Sequence, residues 1–172
     1  MTEKNKSYDL NQPQDNVASE PLTAYSLSPT PLQMLVEILG LEAFSKKIKS
    51  TLDLLTLTEK GFPINVLKHL QRHTQFTNRE MGKALDMSES TLQRRWKQKQ
   101  NLDKRQSESA VQLASVWAKG LEVFEDEEDF RTWLHADNQA LGGNKPVALL
   151  GSTIGQEEIK KVLGRIEWGI YS

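Results

Sequence analysis

Within a short stretch the chain carries Ser88, Ser90, Thr91, Gln93, Arg94, Arg95, Lys97 and Lys99. These residue types suit a nucleic acid. Arginine addresses guanine and glutamine addresses adenine through paired hydrogen bonds in the major groove. On one helix, Ser88, Ser90, Thr91, Gln93, Arg94 and Lys97 form the candidate reading face. Arg95, Lys99, Lys104 and Arg105 are candidates for phosphate contacts, which add affinity and salt dependence without reading sequence. The alternative is a solvated basic face on an ordinary helical hairpin.

Other chemistry is scarce. His69 and His73 stand at i and i+4, a metal-ligand spacing, but no glutamate of the zinc-protease pattern and no third ligand accompany them. The acidic run Glu125–Asp129 could hold paired catalytic carboxylates or a cation, yet it reads better as the start of a helix, where the macrodipole favours negative charge. Gly142-Gly143-Asn144-Lys145-Pro146 has the residues of a phosphate loop in the wrong order and reads as a turn between helices. There is no cysteine, which excludes disulfides and thiolate chemistry. No local pattern joins a nucleophile, a base and an orienting group. The expectation is a non-enzyme with no catalytic residue, no metal site and no cofactor.

A second candidate site lies at the C-terminal end. Ile159, Val162, Leu163 and Ile166 form one apolar stripe of a helix. At about 100° per residue, Trp168 falls about 180° from Ile159, with Lys161, Gly164 and Arg165 projecting on its side. A tryptophan beside Gly and Arg, away from the core face, is an interface pattern. The alternative is a tryptophan folded back on a neighbouring helix. Gly169 can end that helix, leaving Ile170-Tyr171-Ser172 as a short tail able to enter a partner's pocket.

The elements that must position these groups are helical. Thr77 and Glu80 make a capping-box pattern, and Ser88 is a second N-cap three residues past Leu85. Two short helices so closely joined match a helix-turn-helix at about 77–98. Gly82 supplies the small residue at the crossing, and Met81, Leu85, Met87 and Leu92 supply apolar plugs. The turn position that favours glycine holds Asp86, which tolerates the left-handed conformation better than most residues.

Upstream, Thr30-Pro31 opens a helix through Leu39, and Gly40 ends it. A second helix is expected over Leu41–Ile48. Leu52–Leu57 reads equally as strand or helix, and a further helix reaches about His73. Downstream, Ser107 is the expected cap of a helix bearing Ala110, Leu113, Ala114, Trp117, Leu121 and Phe124. Asp126 caps another with Phe130, Trp133 and Leu134, and the last runs from about Gln156 to Trp168. Nothing alternates at period two, so the fold class is all-α: a helix-turn-helix domain followed by a small C-terminal helical domain.

Charge divides the chain in the same way. Its 22 basic and 23 acidic groups nearly cancel, yet residues 68–105 hold 10 basic and 4 acidic ones, while residues 106–172 hold 6 and 11. Four of the six prolines fall in the first 31 residues, and residues 1–30 hold few large apolar groups, which predicts a mobile arm. The expected organisation is an arm over 1–30, a DNA-binding domain over 31–105, and a second domain over 106–172. No apolar run approaches the ~18 residues of a membrane span, and the polar start predicts no secretion, hence a cytoplasmic protein with no membrane partner.

The C-terminal residues carry a resemblance. Asn138-Gln139-Ala140-Leu141-Gly142-Gly143-Asn144-Lys145-Pro146, then Leu149-Leu150, and the ending Leu163-Gly164-Arg165-Ile166-Glu167-Trp168-Gly169-Ile170-Tyr171-Ser172 resemble the toxin-binding domain of Xre/MbcA/ParS antitoxins, and the similarity covers about residues 60–172. The resemblance implies an Xre-like helix-turn-helix and a bacterial type II antitoxin whose usual partner is a RES-domain toxin that consumes NAD. In that family the C-terminal domain blocks the toxin's active-site entrance and the N-terminal domain binds the operon's own promoter. Carried onto this sequence, the blocking element spans Arg165 to Ser172, and the candidate toxin contacts are Lys161, Gly164, Arg165, Trp168, Gly169, Ile170, Tyr171 and Ser172. Operator DNA, a homodimer on a two-fold site and a toxin–antitoxin hetero-oligomer are the expected assemblies. The alternative is a stand-alone transcriptional regulator whose C-terminal domain only dimerises.

Overall fold

Most of the helices start where a side chain takes over an orphan backbone N–H. In the computed structural model, which describes residues 30–44, 47–124 and 126–170, Thr30 and Gln33 form a capping box and Pro31 opens α1 (Pro31–Ile38). Ser50 and Asp53 do the same for α2 (Thr51–Lys60). Then follow α3 (Val66–Thr74), α4 (Asn78–Ala84), α5 (Glu89–Gln98), α6 (Lys104–Phe124), α7 (Glu127–His135), α8 (Pro146–Leu149) and α9 (Thr153–Glu167). The described residues contain no strand, only one isolated bridge between Asn138 and Asn144. None of their helices is long and apolar enough to cross a membrane. The expected arm over 1–30 lies, except for Thr30, outside the described residues.

Three local expectations change. Over Leu41–Ile48, where a helix was expected, the described residues form only a 3-10 turn at Glu42–Phe44. The Asp53 carboxylate accepts from the N–H groups of Lys49 and Ser50 at 3.0 and 2.9 Å, drawing that backbone into the cap of α2. Leu41 and Ile48 still reach the core. Leu52–Leu57 is helical. Ser107 is not a cap, because Asp103 and Gln106 form a reciprocal box at 3.1 and 3.0 Å and the helix begins at Lys104. Ser107 is fully buried, and its hydroxyl donates to the Asp103 carbonyl while accepting from the Phe62 N–H, both at 2.8 Å. The last helix also starts earlier than expected, at Thr153, because Ser152 caps it.

The longest helix, α6, is the spine. It packs against α1, α2, α3 and α4, and also against α7 and α9. Its Ala110, Leu113, Ala114, Val116, Trp117 and Ala118 are buried. Gly120 has no side chain because the Phe130 ring occupies the space a Cβ would need. Phe130 in turn lies 4.9 Å from Trp117 and stacks on Phe124 and Trp133 at 5.7 and 5.9 Å. Fully burying each such side chain contributes about 1.5–3 kcal/mol. A boundary drawn at 105/106 cuts the first turn of α6, so the basic segment and the acidic segment share one core.

Candidate nucleic-acid and partner interfaces

The helix-turn-helix is built as its spacing requires. Thr77 caps α4 and receives the Glu80 carboxylate on its own N–H at 2.9 Å. Met81, Leu85 and Leu92 are buried and Met87 is half-buried. A Cβ on Gly82 would stand 2.8 Å from the Met87 carbonyl oxygen, so no larger residue fits where the chain turns. Asp86 adopts the left-handed conformation, with φ 51°, and pairs with Arg105. Ser88 then caps α5, accepting from the Thr91 N–H at 3.1 Å.

With Leu92 turned inward, α5 presents Ser90, Arg94 and Lys97 along one exposed line, with Gln93 beside them. Gln93 donates to Glu89 at 3.4 Å. Ser88 is exposed and its hydroxyl touches those of Ser90 and Thr91 at 3.0 and 2.8 Å, although Thr91 itself is half-buried. Lys99 is exposed at the C-cap in a left-handed conformation. Arg95 does not join this face. Its side chain is only 19 % exposed and pairs with Asp103 at 3.1 Å; it also donates to the Asn101 carbonyl at 2.6 Å. Arg95, expected to contact phosphate, sits on the Leu92 side of the helix and braces the loop into α6. Lys104 pairs with Glu59 at 3.4 Å. Arg79 and Lys83, which belong to the same basic segment, are both exposed on α4.

At the other end, Ile159, Val162 and Leu163 are buried and Ile166 is half-buried. Trp168 is 79 % exposed; it does not fold back on a neighbouring helix. The end of α9 is held by Glu167, which accepts from Lys119 of α6 at 2.7 Å, and that hydrogen bond keeps the Lys119 ammonium above its usual range. Lys161 is exposed and pairs with Glu158 at 2.7 Å. Nothing lies within 4 Å of where a Cβ on Gly164 would stand.

Gly169 turns the chain, with φ 67°. Its N–H donates to the Ile166 carbonyl and that of Ile170 to the Arg165 carbonyl, both at 2.9 Å, the paired bonds of a Schellman C-cap. Ile170 is 57 % exposed. Tyr171 and Ser172 lie outside the described residues.

Several other titratable groups hold helices together. Asp126 caps α7 by accepting from the N–H groups of Glu128 and Asp129; Glu125 lies outside the described residues. Burial pushes the Glu127 carboxyl up, but hydrogen bonds from His73 and Arg131 outweigh it and hold the group below its usual range. His73 lies 2.7 Å from Glu127, and His135 lies 3.1 Å from Glu80. Among the described residues no three His, Cys, Asp or Glu side chains gather as a metal site would require. Gly142 and Gly143 form the expected turn, both at positive φ.

Two family models match the chain side by side. Residues 53–115 match the antitoxin Xre-like helix-turn-helix domain. Residues 119–169 match the antitoxin Xre/MbcA/ParS C-terminal toxin-binding domain. No curated protein matches the chain. The first match covers α4 and α5 with their basic face, and the second covers α7 to α9 up to the exposed tryptophan and its glycine. The chain belongs to the Xre/MbcA/ParS-type antitoxins of type II toxin–antitoxin systems, with a helix-turn-helix for DNA and a C-terminal domain for a toxin.

Proposed function

We propose that this antitoxin neutralises a RES-family toxin that consumes NAD, by placing the end of α9 and its tail in the entrance of the toxin's active site. The observation that carries the reading is Trp168, a large apolar side chain exposed to 79 % on the last helical turn, beside a Gly164 whose outer side is open. The Schellman cap at Gly169 fixes the direction in which the chain leaves α9 at Ile170. Occlusion is steric: NAD cannot enter a pocket the tail fills, and no catalytic group is needed on the antitoxin. The proposed contacts are Lys161, Gly164, Arg165, Trp168, Gly169 and Ile170, continuing into Tyr171 and Ser172.

The same protein represses its own operon. Ser90, Gln93, Arg94 and Lys97 address bases, Ser88 and Thr91 lie at the helix start, and Lys99 holds phosphate. One such unit reads a short site, so two copies bind a two-fold operator, alone as a homodimer or within the toxin complex. These partners place its work in the bacterial cytoplasm, with neither cofactor nor membrane involved.

Deleting Ile170–Ser172, or extending the chain past Ser172, tests the tail. In cells expressing the toxin encoded beside it, either change should abolish rescue and let NAD fall, while operator binding by the purified protein stays intact. Full rescue by the truncated protein would refute occlusion by the tail.

A further inference from the structure

Beside the tail lies a groove of about 570 Å³, open on one side. Its walls are Phe124, Trp133, Ala140, Val162, Ile166 and Ile170. The aromatic wall is rigid, because Trp133 stacks on Phe130 at 5.9 Å and meets Phe124 at 5.8 Å, and Phe130 is fully buried. Two opposite charges, Arg165 and Asp137, also line the groove. Among the described residues neither is in an ion pair. A stiff apolar floor with uncommitted charges at its edge is the arrangement that receives an anchor side chain from a protein partner.

We infer that this groove receives one large apolar side chain of the toxin, flanked there by a carboxylate that pairs with Arg165. The inference rests on the proposed role of the C-terminal end and deepens it. All of the groove except Ile170 lies within the matched toxin-binding region, and Ile170 is both a wall of the groove and the first residue of the tail. The surface around the tail therefore continues without a break into the groove. The contact runs in both directions: Trp168 enters the toxin, and the toxin's anchor enters the antitoxin. A partner must then match the groove as well as tolerate the tail, which gives each antitoxin a means of choosing its own toxin.

Ala140 offers a clean test, because it is exposed, so a larger side chain there fills the groove without entering the core. Full-length wild type, Ala140→Trp, Arg165→Glu and Trp168→Ala are titrated calorimetrically against the toxin encoded in the same operon. Thermal melting, operator gel shifts and light scattering of each antitoxin alone accompany the titrations. Ala140→Trp and Arg165→Glu should each weaken toxin binding by about tenfold or more, with melting, operator binding and mass unchanged. If Trp168→Ala weakens binding but Ala140→Trp leaves it within about twofold, the groove inference is wrong and the tail reading stands. If neither affects binding, both are wrong. A change in mass of Ala140→Trp alone would show that a second copy of the chain fills the groove, and would overturn the assignment to the toxin.

Discussion

Gly164 sits inside α9, where a glycine costs about 1 kcal/mol relative to alanine. Nothing among the described residues explains its presence: its outer side is open, and beyond its chain neighbours and its own helix backbone no described atom lies within 4 Å of a Cβ built there. Gly164→Ala should therefore stabilise the fold. The gain is about 0.5–1 kcal/mol, since the site is near the end of the helix and only half-buried. For a chain of this size that raises the melting temperature by about 1–4 °C. The same methyl stands one turn before Trp168, on its side of the helix, so it would hold a partner's surface away. Toxin affinity should fall by about tenfold or more, since hot-spot contacts tolerate no gap. Calorimetric melting and titration of one protein preparation measure both effects. A variant that melts higher yet binds toxin as well as wild type would refute a close approach at this face. A variant that melts no higher would refute the helix-propensity argument.

Arg94→Ala should weaken operator binding by about 1–3 kcal/mol and relax preference at one base pair, which gel shifts on single-substituted operators read out. Lys99→Ala should instead weaken binding across sequences and make the dependence of affinity on salt shallower by about one unit of slope, as loss of a phosphate contact does. Arg95→Ala should lower stability by about 1–3 kcal/mol, because it removes charged hydrogen bonds to Asn101 and Asp103; the salt slope should not change. In acid, Glu80 provides a test of linkage. Burial raises its pKa, but hydrogen bonds from Thr77 and His135 prevail and hold it below its ordinary 4.5. A carboxyl whose folded pKa is depressed stabilises the fold fully above its unfolded value, and that contribution drains as pH falls through the lower folded value. Denaturant titrations from pH 6 downward should show stability falling below about 4.5 in wild type, and Glu80→Gln should have a shallower acid limb. Equal slopes would remove Glu80 from the account.

Local rules carried much of this protein. Thr77 with Glu80, Ser88 and Asp126 are caps in the structure because a cap needs only its own side chain and the next turn's N–H groups. Asp86 is left-handed and Gly82 is pressed on the turn because a helix-turn-helix leaves those two positions little freedom. The periodicity of Ile159, Val162 and Leu163 pointed Trp168 away from the core face but left open a fold back onto a neighbouring helix. Where reading failed, a distant partner was involved. Ser107 looks like a cap in isolation, but its hydroxyl is claimed by Phe62, 45 residues away. Arg95 looks like its neighbour Arg94, but it points to a loop whose path depends on where α6 starts. The groove beside the tail was invisible, because its walls come from α6, α7, the 139–141 turn and α9, and no spacing along the chain brings those together.

From the sequence alone come the helical class, the helix-turn-helix, the segregation of basic and acidic surfaces, and the family. The helical class and the helix-turn-helix depend on residue type and on separations of one to seven positions, over which backbone geometry is nearly invariant; the charge segregation and the family depend on residue type along the chain alone. Only the tertiary structure decided that α6 serves both halves, that Arg95 braces a loop, and that Trp168 stays largely exposed while Ile170 lines an aromatic groove. Those outcomes depend on contacts between residues far apart in the chain, and packing sets them only once every helix competes for the same core.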